Sequence, residues 1–123
     1  LAGKVPFPYQ AVYTATKSAV ISMMESLQYE LESYGLSFSY ICPGNVNTPI
    51  FAGIQAPADS VSIEDAVEYI IAEVEKKSLG IIFPETARII DYLYREKRDD
   101  FDKLMKKMAD ERRENYRTKG TYI

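Results

Sequence analysis

From about Gln10 to Tyr34 the apolar residues Val20, Met23, Met24, Leu27 and Leu31 recur at three- and four-residue steps, the spacing that lines one side of an α-helix. Gly35 follows, a residue able to take the left-handed conformation that closes a helix. The helix is of crossover length. The β-rich run Leu36–Cys42 behind it is too short for another helix and therefore reads as a strand of a parallel sheet. Pro43-Gly44 turns the chain at that strand's C-terminal end, the edge at which open parallel sheets bind ligands.

The same helix carries Tyr13 and Lys17, so the two stand one above the other with their Cβ atoms about 5–6 Å apart. A free phenol titrates near pH ~10 and is a poor proton relay at neutrality. A lysine cation about 5 Å away, at an effective dielectric of about 20, favours the phenolate by about 3 kcal/mol, or roughly two pKa units. That shift would bring the phenol toward the range where a general acid or base works best. The bland account is a half-buried tyrosine beside a solvated lysine. With 10 tyrosines in 123 residues, roughly one Tyr-x-x-x-Lys arises by chance, so the pair draws its meaning from its surroundings.

Composition removes several other chemistries. There is no histidine, which takes away Ser-His-Asp and Cys-His catalysis as usually built and the commonest metal ligand, so no metal site is expected. A proton-transfer site must then use Tyr, Lys or carboxylates. Cys42 is the single cysteine; it excludes an internal disulfide, fits a reducing compartment, and reads as a buried, inert thiol at a strand end. A net charge of −3 offers no basic excess for nucleic acid. No apolar run is long enough to span a membrane, and no basic-then-apolar opening marks a secretory signal. The expected location is the cytoplasm, with membrane-surface association left open.

Tyr13-x-x-x-Lys17, one long helix, one strand and then Pro43-Gly44-x-Val46-x-Thr48 form an ordered set, with the small residues Ala15, Ser18 and Ala19 beside the motif. That set resembles the C-terminal half of the short-chain dehydrogenases/reductases. The resemblance implies an α/β fold, the C-terminal half of a doubly wound, Rossmann-like parallel sheet: two strands with long helices and a helical C-terminal tail. Residues 1–123 would be the catalytic half of one NAD(P)-binding domain, with 85–119 as a charged helical tail. The nucleotide-binding half would lie upstream of Leu1, since the chain does not start with Met. The family's catalytic serine would fall just before Leu1, and no serine occurs between Leu1 and Tyr13. The Gly-rich turn that seats the pyrophosphate is also missing, and Gly3 alone cannot replace it. Residues 1–123 alone are therefore expected to be inactive, with strand edges unpaired and helix faces bare.

The same resemblance implies an NAD(P)-dependent oxidoreductase that interconverts a carbonyl and an alcohol, with Tyr13 as general acid/base. Lys17 would lower the phenol pKa and hold the nicotinamide ribose hydroxyls, with Tyr13 also bordering the cofactor. Pro43, Gly44, Val46 and Thr48 would line the nicotinamide end of an NAD(P)H cofactor, NADP being taken ahead of NAD. Without Tyr13 and Lys17, Pro-Gly is simply a tight turn. Homodimers or homotetramers would form through the 10–34 helix, although core packing accounts for its stripe equally well.

The remaining segments fill in the pocket and the tail. Leu1–Gln10, with Gly3, Pro6 and Pro8, reads as a loop; Phe7 and Tyr9 either wall a substrate pocket or pack beneath that loop. Asn45 and Phe51 are further pocket candidates. The 50–60 loop, with Phe51 and Ile54, would close over an apolar substrate of lipid, steroid or retinoid type. Ser62 caps a helix with Glu64 and Asp65 in its first turn and a stripe of Ala66, Val67, Ile70, Ile71 and Val74. Gly80–Phe83 reads as a second short, buried strand. After Pro84 the chain turns helical, with Ile89, Ile90, Leu93, Tyr94, Phe101, Leu104, Met105 and Met108 able to pack. The mixed charges of Arg95 to Arg117 suit a solvated face or, alternatively, a partner- or membrane-surface helix. The rival functions are a non-catalytic interaction module or inactive fragment and, among enzymes, a nucleotide-sugar epimerase or dehydratase, for whose larger substrate domain the chain has no room.

Overall fold

A computed structural model describes residues 1–51, 53 and 55–122; Ile54, expected in the loop over the substrate, lies outside the described residues. In chain order the elements are α1 (Ala11–Leu31), β1 (Tyr40–Pro43), α2 (Ile63–Glu75), β2 (Gly80–Phe83), α3 (Glu85–Glu96) and α4 (Arg98–Lys119). The strands run parallel, with Tyr40 opposite Gly80 and Pro43 opposite Phe83. Such a pair needs a crossover, and α2 supplies it. The result is the expected α/β arrangement, part of a Rossmann-like fold with a helical tail.

Local chemistry sets most of the boundaries. A short 3₁₀ turn, Glu32–Tyr34, follows α1 and ends at Gly35, whose φ of 78° is left-handed. The Ser62 hydroxyl accepts a hydrogen bond from the Asp65 N–H at 3.0 Å, capping α2. β1 is shorter than the run 36–42 and ends one residue later. Its ladder begins only where its partner begins, with the Tyr40 N–H donating to Leu79 O at 2.8 Å. Before that point the Phe38 N–H is taken by the side-chain oxygen of Gln28 on α1, so these residues are held by a helix rather than a strand. The tail is two helices, broken at Lys97 (φ −136°, ψ 58°).

The core is small. Ala66 of α2 packs on Ile81 and Phe83 of β2, with Val46, Val61, Tyr69 and Ile70 closed around them. Val5, Tyr40, Cys42, Ala87 and Phe101 are buried as well, and the buried Asp91 accepts a hydrogen bond from Arg95 Nε at 3.0 Å. By contrast, no residue of α1 is buried. The expected stripe is split: Val20 and Met23 are exposed, while Met24, Leu27 and Leu31 are half-buried. The cause is geometric, since Val20 lines the open cavity between α1 and β1 and Met23 stands half exposed beside it. In α2 likewise, Val67, Ile71 and Val74 are exposed while Ala66 and Ile70 pack inward.

Candidate functional site

Tyr13 lies in the first turn of α1 and Lys17 one turn on, and the helix brings the Lys17 ammonium to 5.4 Å from the centroid of the Tyr13 ring. The ring is 52% exposed. Both side chains open on a cavity of about 540 Å³ that runs from α1 to the C-terminal end of β1, where Pro43 and Gly44 complete its wall. Ligand pockets commonly measure about 300–1,000 Å³, so the space suits part of a cofactor or a small substrate.

Two glycines set how closely the elements approach there. A Cβ on Gly3 would sit 2.6 Å from Ile21 Cδ1 and 2.7 Å from the carbonyl oxygen of Lys17, so only glycine lets the entering loop press on the backbone of α1 at Lys17. The Ser18 hydroxyl secures that contact by donating to the carbonyl oxygen of Gly3 at 2.9 Å. A Cβ on Gly44 would meet Pro84 Cδ at 3.0 Å and Ala87 Cβ at 3.3 Å. The crowding at Gly44 therefore comes from the start of α3, which the turn approaches closely enough for the Gly44 N–H to donate to Phe83 O at 2.6 Å.

Of the residues expected at the site, Tyr13, Lys17, Pro43 and Gly44 share the cavity. Val46, expected to meet the cofactor through its backbone, packs against the core cluster and forms a parallel bridge with Val61. The Thr48 carbonyl accepts from the Phe51 N–H at 3.1 Å, which places Thr48 and Phe51 in the short turn that follows. Asn45 donates from Nδ2 to Asp59 Oδ1 at 3.0 Å. Phe7 is half-buried in the loop before α1, its carbonyl accepting from the Gln10 N–H. Tyr9 is stacked on Tyr122 at the far end of the chain. None of these six lines the cavity around Tyr13.

Two contacts at or beside the cavity were not anticipated from the sequence. Lys4 donates from Nζ to the Tyr40 hydroxyl at 3.2 Å and lies 5.4 Å from its ring centroid, a second Tyr–Lys pair assembled from residues 36 apart. Burial raises the Tyr40 phenol above its ordinary range, against the opposing pull of Lys4, so this tyrosine stays protonated. Burial likewise pushes the Cys42 thiol up, which suits an inert group. Asp59 accepts from both Asn45 and Thr86 and is held below the usual carboxylate range by those two hydrogen bonds. It joins the turn after β1 to the first turn of α3. No spacing rule could have revealed these contacts, because each joins distant segments. Among the described residues no three His, Cys, Asp or Glu side chains gather as for a metal, and no helix is long and apolar enough to cross a membrane.

Residues 1–59 match the model of the short chain dehydrogenase family. The chain is 30% identical over 104 residues to 1-deoxy-11-beta-hydroxypentalenate dehydrogenase of Streptomyces exfoliatus, covering 80% of this chain and 36% of that protein. It is 32% identical over 88 residues to mouse (Mus musculus) 15-hydroxyprostaglandin dehydrogenase [NAD(+)], covering 70% and 32%. With 2-(R)-hydroxypropyl-CoM dehydrogenase of Xanthobacter autotrophicus it shares 29% identity over 80 residues, 65% and 30% of the two chains. The match thus takes in about a third of the length of these curated relatives, 36%, 32% and 30%. No solved structure matches the chain.

Proposed function

Because the chain belongs to the short-chain dehydrogenase/reductase family, we propose that it is the catalytic half of an NAD(P)-dependent oxidoreductase that interconverts a carbonyl and an alcohol. The observation that supports this most is the single cavity bringing Tyr13, Lys17, Pro43 and Gly44 together at the C-terminal end of a parallel strand. Those residues fit the nicotinamide–ribose end of the cofactor: an ammonium able to donate to two ribose hydroxyls, and a turn whose backbone borders the cavity. Bound nicotinamide supplies or accepts the hydride. Tyr13 gives its phenolic proton to the carbonyl oxygen, or takes one from the alcohol in the reverse direction. The Lys17 cation beside the ring stabilises negative charge developing on oxygen in that step and orients the ribose.

The apolar side chains of Ile21, Met24 and Ile41 on the cavity wall favour an apolar substrate, and the names of the pentalenate and prostaglandin dehydrogenases point the same way. The mouse relative's name specifies NAD(+), the alternative to the NADP preference expected above. The bare flank of α1, with Met23 50% exposed, supports a second copy of the protein as the partner that covers it. Lys17→Met in the full-length protein tests the cofactor half of the proposal. Losing a charge-assisted hydrogen bond worth about 1.5–3 kcal/mol should weaken NAD(P)H binding by about tenfold or more in a fluorescence titration. Unchanged affinity would remove Lys17 from the site.

A further inference from the structure

Tyr13 sits in the first turn of α1, and that turn has no local anchor. Gln10 makes no side-chain cap hydrogen bond, the turn holds no acidic residue, and nothing in α1 is buried. A helix start of this kind frays unless tertiary contacts hold the chain that enters it.

Apart from the Ser18–Gly3 hydrogen bond two turns on, those contacts come from the other end of the molecule. Arg112 of α4 donates from Nη1 to the carbonyl oxygen of Pro8 at 2.6 Å, and Arg113 donates from Nε to the Tyr9 hydroxyl at 3.2 Å. The Tyr9 ring stacks on Tyr122 with centroids 4.7 Å apart, and Tyr122 stacks in turn on Tyr116 at 4.6 Å. Arg112 is half-buried, and desolvation draws its guanidinium below the usual arginine range, as expected where a contact displaces water. Tyr9 holds a φ of 62°, a conformation a non-glycine residue keeps only where its surroundings impose it. From there the constraint passes into the helix. The Gln10 N–H donates to Phe7 O at 3.2 Å, and the Thr14 N–H, beside Tyr13, donates to Gln10 O at 2.8 Å.

We infer that α4 is a clamp on the entry to α1, with Arg112, Arg113 and Tyr122 as positioning residues that fix where the Tyr13 phenol meets the cavity. The inference rests on the reading of Tyr13 as the proton-transfer group. Amide hydrogen exchange and steady-state kinetics on the full-length protein test it, comparing wild type with Arg112→Met, Arg112→Lys and Tyr122→Ala. The clamp predicts exchange at residues 9–16 about tenfold faster or more in Arg112→Met and Tyr122→Ala, with β1 and β2 unchanged. It also predicts kcat lower by about ten- to a hundredfold at a steady cofactor KM, the loss expected from a small misplacement of a reacting group. Arg112→Lys, which keeps a donor, should recover most of both. Tyr122 is an exposed side chain, so its variant serves if Arg112→Met does not fold. Exchange at 9–16 unchanged in the variants overturns the clamp, and faster exchange with unaltered kcat overturns its link to Tyr13. Faster exchange in a protein whose wild type has no dehydrogenase activity supports the clamp and overturns the dehydrogenase reading instead.

Discussion

α1 runs 21 residues and α4 runs 22. The first is rich in Val, Met and Leu and the second in charges, yet α4 holds a fully buried residue and α1 holds none. Phe101, 1% exposed, is closed in by the Tyr94 ring at 5.0 Å and by the Arg98 guanidinium at 5.8 Å. Phe101 against α3, with half-buried Leu104, Met105 and Met108 and the contacts at residues 8 and 9, docks a helix whose exposed face carries ion pairs. Apolar content offers a face to bury, and burial follows only where another element lies opposite. α4 finds that element within the described chain, and α1 finds it on one flank only. The bare flank belongs to the helix that carries Tyr13 and Lys17.

The contrast can be broken most forcefully at its best-packed point. Phe101→Ala should lower the unfolding free energy of the full-length protein by about 3–5 kcal/mol, read from urea denaturation and independent of protein concentration. Met23→Glu should act through assembly instead. If a second copy covers α1, a buried unpaired carboxylate would cost roughly 1–3 kcal/mol and shift the protein toward monomer in sedimentation, with little change in monomer stability. An unchanged subunit count would mean that another element covers that flank.

The smallest effect concerns Asp59. Its hydrogen bonds from Asn45 and Thr86 depress the folded-state pKa, so its stabilisation is present above the unfolded carboxylate value of about 3.9 and fades as pH falls through the lower, folded value. Asp59→Asn should therefore reduce the difference in unfolding free energy between neutral pH and about pH 3, by roughly a few tenths of a kcal/mol because the group is exposed and screened. An identical acid limb in the variant would mean that these hydrogen bonds contribute nothing to stability.

What could be read ahead of the structure divides by range. The 10–34 helix with its Gly35 cap, the Ser62 cap and the Gly80–Phe83 strand depend on neighbours within a few residues, and the structure forms each. β1 moved from 36–42 to 40–43 because a strand's ends are decided by its partner's ladder, which lies 40 residues further on. The break at Lys97 carries no glycine or proline to announce it. At the site, Tyr13 and Lys17 were legible because helical spacing alone juxtaposes them. The place of Pro43 and Gly44 on the wall of the cavity was legible because they close the strand's C-terminal end. The packing of Val46 against Ile81 and Phe83 was not legible, since it depends on segments 35 or more residues further on. The contacts Lys4–Tyr40 and Arg112–Pro8 join residues 36 and 104 apart, a separation across which no pattern in one sequence reports.

The central claim is that the Tyr13 phenol transfers the proton. The most direct measurement is Tyr13→Phe in the full-length protein, with turnover and NAD(P)H affinity determined on the same preparation. The account predicts turnover reduced by about 10²–10⁴-fold, the contribution typical of a positioned acid or base, with cofactor affinity within about twofold of wild type. Turnover at the wild-type rate would contradict it.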